Sequence, residues 1–160
     1  MAEVKSFYGT GESAVRPDKP MTDRKVVVVV MKHPTEDKFL CVKNRKLGWI
    51  DFVMGGIEGD EDTITGGERE LLEETAYTDY EILGELPEVY YDDFYAAHKD
   101  VNRHIEAHTI YGRLKSLEQG KRSTEEADLA DVLWIDESEV AEKLHTDAHR
   151  WDFERVAPLY

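Results

Sequence analysis

The chain has 160 residues, 41% of them hydrophobic, and carries 35 acidic against 20 basic side chains for a formal net charge of −15. That length suits one domain with a real core, and the charge repels nucleic-acid backbones, whose non-specific binding runs on Lys and Arg. No run approaches the ~20 apolar residues of a membrane span, the N-terminus lacks the basic start and apolar stretch of a secretory signal, and the single Cys41, set in an apolar run, reads as a small core hydrophobe in a reducing cytoplasm.

Residues 1–23 are polar and hold Gly9, Gly11, Pro17 and Pro20, which predicts an extended or loosely ordered arm ahead of a single domain over 24–160. "KVVVVVM" reads as a central buried strand. "HPTEDK" is turn-like and "FLCVK" strand-like, so the pair suggests a hairpin. "WIDFVM" is a strand ending at Gly55-Gly56, and the acidic loop "GGIEGDED" follows. Residues 63–76 read as a helix with Asp62 as N-cap. "YEILGEL" is a strand, and "VYYDDFYAAHKDVNR" is a long loop or hairpin. "HIEAHTIYGRL" and "DVLWI" are further strands. Asp136 is placed to cap a short helix carrying Val140 and Leu144. A C-terminal helix over "DAHRWDFERV" has only a diffuse apolar face. Strands with few helices point to an α/β class: a mixed sheet with helices on its faces.

The chemistry concentrates in "RELLEETAY", residues 69–77. Glu70, Glu73 and Glu74 fall within an arc of about 100° on a helix. Carboxylates that close repel one another, so the face is unfavourable unless hard cations, which take oxygen ligands, sit among them. A solvated acidic face is the alternative reading. Ile64, Gly67, Leu71 and Thr75 form the opposite stripe and are expected to pack on the sheet. Upstream, Gly55 precedes Glu61 by six positions, and Glu61 precedes Arg69 by eight. Six fixed residues in one register have a chance of about 10⁻⁷ at ordinary residue usage.

This spacing over residues 55–77 resembles the box of the Nudix hydrolases, which cleave nucleoside diphosphates linked to another group. The resemblance implies an α/β/α sandwich with a mixed sheet and Mg²⁺-dependent attack of water on a diphosphate, Mn²⁺ being an alternative ion. It implies that Glu73, Glu74 and the Gly55 carbonyl ligate metal. Glu70 is then a ligand or general base, Glu61 a buttress of the helix or a contact to a second metal, and Arg69 the residue that orients the glutamates. Of Glu125, Glu126 and Asp128 ahead of the late strand, Glu126 is favoured as a further ligand. The resemblance also allows a homodimer. Two departures stand out. The glycine of the turn before Glu61 comes one place early, at Gly59, so that Asp60 is expected to take a conformation glycine normally adopts. Ala76 replaces the glycine that usually ends the helix. A narrower similarity runs to a Nudix-like domain joined to some bacterial leucyl-tRNA synthetases. An accessory nucleotide-binding module with weak turnover is therefore the alternative function.

Substrate selection is expected outside the box, from a small nucleotide-type ligand. "KNRKLGW" offers Arg45 and Lys46 for phosphates and Trp49 for stacking on a base. "YAAHKDVNRH" offers His98, Lys99, Asn102 and Arg103 as phosphate contacts, against the alternatives of a charged hairpin end and an ordinary loop. Six histidines without an HExxH spacing or cysteine partners argue against zinc, and no P-loop or dinucleotide fingerprint is present.

Overall fold

The computed structural model describes residues 4–160. In chain order the strands are β1 (Val4–Tyr8), β2 (Met21–Lys32), β3 (Lys38–Asn44), β4 (Ile50–Asp51), β5 (Val53–Gly56), β6 (Tyr80–Glu85), β7 (Val89–Ala96), β8 (Val101–Leu114) and β9 (Ala130–Asp136). The helices are α1 (Thr63–Thr75), α2 (Thr124–Leu129), α3 (Glu137–Lys143) and α4 (Asp147–Val156). The sheet is mixed: β2 runs parallel to β8 from Met21–Asn102 to Lys32–Arg113, and most other pairs are antiparallel. No helix among the described residues is long and apolar enough to cross a membrane.

The valine run explains the layers. Side chains alternate across a strand, so Val26, Val28 and Val30 enter one core and Val27, Val29 and Met31 the other. Helix α1 covers the second core through Leu71. Gly67 lets it settle there, since a Cβ at that position would lie 2.4 Å from Ile110 Cδ1. Ile64, expected in that stripe, is instead 37% exposed, outside the buried residues of α1. Helices α3 and α4 fill the first core with Val140, Trp151, Phe153 and Val156. Two helical layers around a sheet give the α/β/α sandwich.

Several local expectations change. The hairpin of β2 and β3 reduces to one register pair, Lys32–Phe39. Strand β3 pairs instead with β9 over seven positions, Lys38–Asp136 to Asn44–Ala130, so its partner is tertiary rather than sequential. "WIDFVM" breaks into β4, which joins β3, and β5, which joins β2. The break is at Phe52, whose backbone N–H donates to Nδ1 of the buried His149 at 3.1 Å and so ties α4 to the joint. The arm expected to be extended or loosely ordered contains a strand, with Val4–Tyr8 pairing in parallel with Val89–Asp93; residues 1–3 lie outside the described residues. Asn102, read as a phosphate contact, is buried and holds the arm through the backbones of Arg16 and Lys19.

The diffuse face of α4 has a polar cause. Asp152 is fully buried within it; its Oδ1 accepts from Thr109 Oγ1 at 2.6 Å, while Oδ2 has no partner among the described residues. Burial pushes this carboxyl up to about 8, with only partial relief from Thr109. Between an unfolded value near 4 and that folded value, the native state holds one proton more than the unfolded chain. This residue's contribution to stability therefore falls as pH rises through that window. We expect Asp152→Asn to flatten that component: urea midpoints of the variant, subtracted from those of the parent at each pH from 4.5 to 9, should change steadily across the window. A constant difference would show that Asp152 is ionised in both states.

Candidate active site

Strand β5, the loop 57–62 and helix α1 build the site. Asp62 starts the helix, accepting from the Thr65 N–H at 2.7 Å as expected of an N-cap. Ala76 ends it in the left-handed conformation at φ 61°, so the helix stops where a glycine would have stopped it. In the acidic loop the positive φ belongs to Gly59 itself, at 51°. Asp60 has no positive φ, so the early glycine supplies the turn and the strain expected at Asp60 does not arise.

Arg69 occupies the centre. Its Nε and Nη2 grip both oxygens of Glu61 at 2.9 and 3.0 Å. Nη2 also donates to the Gly56 carbonyl at 2.7 Å, and Nη1 reaches Glu70 at 2.9 Å and Glu73 at 3.4 Å. These bonds hold Glu61 below the usual carboxylate range, helped by the Glu58 N–H that donates to it. One guanidinium thus fastens strand end, loop and helix together.

Glu70 and Glu74 are less exposed and behave oppositely. Burial raises Glu70 despite Arg69. Burial, then the charges of Glu70 and Glu126, raise Glu74 well above the ordinary value. Glu74 Oε2 is buried with no partner among the described residues. Glu70 lies over Gly55: a Cβ there would sit 2.0 Å from its Cδ. Glu126 stands in the first turn of α2, where burial and then Glu73 and Glu125 raise it. Of the acids in that stretch it is the one whose charge Glu74 feels.

The donor set is therefore carboxylate and carbonyl oxygen, over-supplied with negative charge and holding a buried oxygen that lacks a donor. That chemistry suits a hard divalent cation. Among the described residues, no three acidic, histidine or cysteine side chains are gathered closely enough to hold an ion as they stand. Glu70 and Glu73 are instead turned onto Arg69.

A cavity of about 730 Å³ opens on the other side of β5. Met54 joins the two places: its backbone draws Glu74 toward ionisation, and the residue lines the cavity. Trp49 also lines it and stacks on His145 at 4.1 Å and 8°. The other expected substrate residues do not line it. Arg45 is taken by Asp131, at 2.9 Å, at the far end of β3, and Lys46 is exposed in the same turn. Lys99 and Arg103 gather instead with Arg24 around His98, which burial and then those cations hold low. Arg24 was not singled out from sequence, although its alternation with Val26 and Val28 places it on their face. Its guanidinium packs against Gly56, 2.3 Å from where a Cβ would stand.

The model of the NUDIX domain matches residues 21–156. The chain belongs to the Nudix family. Its fold is similar to a Nudix hydrolase from Nitrosomonas europaea, at TM-score 0.57 and 20% identity over 85% of this chain and 90% of that one. It is also similar to an Ap4A hydrolase of C. elegans, at 0.61 and 14% over 85% and 96%. A third similar fold is the dihydroneopterin triphosphate pyrophosphohydrolase of E. coli, at 0.57 and 15% over 82% and 92%. No curated protein matches in sequence.

The contact of Gly55 with Glu70 is testable. Gly55→Ala should displace the Glu70 carboxylate and weaken Mn²⁺ binding, read by electron paramagnetic resonance titration, by roughly 10–100-fold. Circular dichroism should remain unchanged. Parental Mn²⁺ affinity in the folded variant would show that Glu70 needs no such seat.

Proposed function

We propose that this Nudix protein hydrolyses the diphosphate bridge of a nucleoside diphosphate derivative with Mg²⁺ or Mn²⁺. The observation that carries the reading is the buried, partnerless Oε2 of Glu74 beside Glu70 and Gly55. A buried carboxylate oxygen with no donor costs about 1–3 kcal/mol, and a cation among these carboxylates would meet it, with Glu70 and Glu73 drawn from Arg69.

Glu73, Glu74 and the Gly55 carbonyl would hold the cation, with Glu126 of α2 as a further ligand. When bound, the ion neutralises the diphosphate and lowers the pKa of water. Glu70 takes the proton of the attacking water; burial raises its basicity toward that task. The water oxygen bonds to one phosphorus as the bridging P–O bond breaks, and both fragments leave as phosphates. Arg69 does not contact substrate. It keeps Glu61 and the loop fixed and is the alternative partner from which Glu70 and Glu73 are drawn.

The test is a panel of nucleotide sugars, ADP-ribose, dinucleoside polyphosphates and nucleoside triphosphates, with and without Mg²⁺. At least one should yield a nucleoside monophosphate only with the metal. Glu74→Gln should lower kcat/KM on that compound by about 10²-fold or more. No metal-dependent product across the panel, or undiminished turnover in the variant, would refute the assignment.

A further inference from the structure

Asp92 is a half-buried acid that the cleavage centre does not use. It stands in β7 between Tyr90 and Phe94, on the face that lines the 730 Å³ cavity. Its Oδ1 is buried and has no hydrogen-bond partner among the described residues. Burial, then the neighbouring Asp93 charge, pushes the carboxyl up to about 6, so it is mostly ionised at neutral pH and can only accept. An unmet acceptor costs stability, and Asp92 lines the cavity, where a ligand can supply the missing donor once the carboxyl turns toward it.

The walls narrow the chemistry of that ligand. Phe7, Phe94 and the Trp49–His145 stack supply aromatic surface for a planar ring. The charged side chains among the described lining residues, Glu12, Asp51, Asp92 and Asp147, are all acidic, with no lysine or arginine. Such a lining disfavours a phosphate and suits a group that donates hydrogen bonds. The phosphates belong on the far side of Met54, at the box. The wall formed by residues 6–13 lies outside the 21–156 family match, so the cavity depends on a segment that the family pattern does not include.

We infer that this cavity receives the base of the substrate and that Asp92 selects bases carrying an amino group, by accepting their N–H bonds. The inference rests on the pyrophosphohydrolase reading of the box, and it narrows the substrate to derivatives of adenine, guanine or cytosine nucleotides. Guanine fits the carboxylate best, because its ring N–H and amino group present two parallel donors.

Nucleoside monophosphates are the probes, titrated in EDTA by Trp fluorescence so that the measurement does not require turnover. GMP and IMP differ only in the 2-amino group, and CMP and UMP contrast an amino with an oxo group. The parent protein should bind GMP over IMP, and CMP over UMP, by about tenfold or more. In Asp92→Asn, which keeps size and removes charge, both ratios should fall toward one, because GMP and CMP lose more affinity than IMP and UMP. The variant should also melt no lower than the parent, which guards against a folding defect. Equal binding within each pair by the parent, ratios unchanged in the variant, or no binding of any of the four would overturn the inference. Metal-dependent turnover with no base preference would sink the Asp92 assignment alone. Base preference without any turnover would sink the hydrolase assignment and leave the cavity reading standing.

Discussion

The structure of the site depends on the guanidinium of Arg69. Four carboxylates, those of Glu58, Glu61, Glu70 and Glu73, converge on Arg69 at the loop and the outer face of α1, and like charges that close would force the loop and helix apart. Arg69 prevents this by contacting Glu58, Glu61, Glu70 and Glu73 while also bonding the Gly56 carbonyl. Charge-assisted bonds from a planar fork are stronger and more directional than those from a lysine could be. Because it is partly shielded from water, the guanidinium also suffers less screening than an exposed ion pair. The consequence is geometric: the end of β5, the acidic loop and the first two turns of α1 move as one body.

Strand β5 then decides how that body meets a ligand. It pairs with β2 from Val26–Gly56 to Val29–Val53, whereas the preceding β4 pairs with β3. The chain therefore steps from one part of the sheet to another within a few residues. Along β5, Val53 and Gly55 face α1, while Met54 and Gly56 face the opposite layer. Cleavage centre and cavity are thus separated by one strand. A substrate with a polar diphosphate and an apolar, donor-bearing base meets both environments at that short separation, and neither side chain set has to compromise for the other.

Much of this was legible in the sequence, for identifiable reasons. The valine run could only be a strand buried on both faces. The box residues could be placed on one helix edge because helical spacing is local. Pairing was less legible. The hairpin of β2 and β3 looked natural from the intervening turn, but β9 offers β3 seven register positions against one from β2. Nothing in a 90-residue separation announces that choice. Cationic residues near the box looked like phosphate ligands, yet Arg45 had a nearer partner in Asp131, supplied by β9. Asp92 was invisible for the converse reason: among 35 acidic residues, one more in an aromatic strand reads as solvated. Only the alternation of Tyr90, Asp92 and Phe94 hinted that it points inward.

Asp92, Asp152 and Glu74 show how the surroundings of a buried carboxyl determine its role. Each has an oxygen that is buried and without a partner, and burial raises each. Desolvation alone would assign all three the same role. Asp152 sits within α4, bonded to Thr109 in closed packing, and no ligand can reach it; its raised value is a property of folding. Glu74 is raised also by Glu70 and Glu126, so what it lacks is positive charge. Asp92 lines a cavity with aromatic walls, so what it lacks is a neutral donor on a flat ring. The perturbed acid marks a place where something is missing, and the neighbours specify what that is.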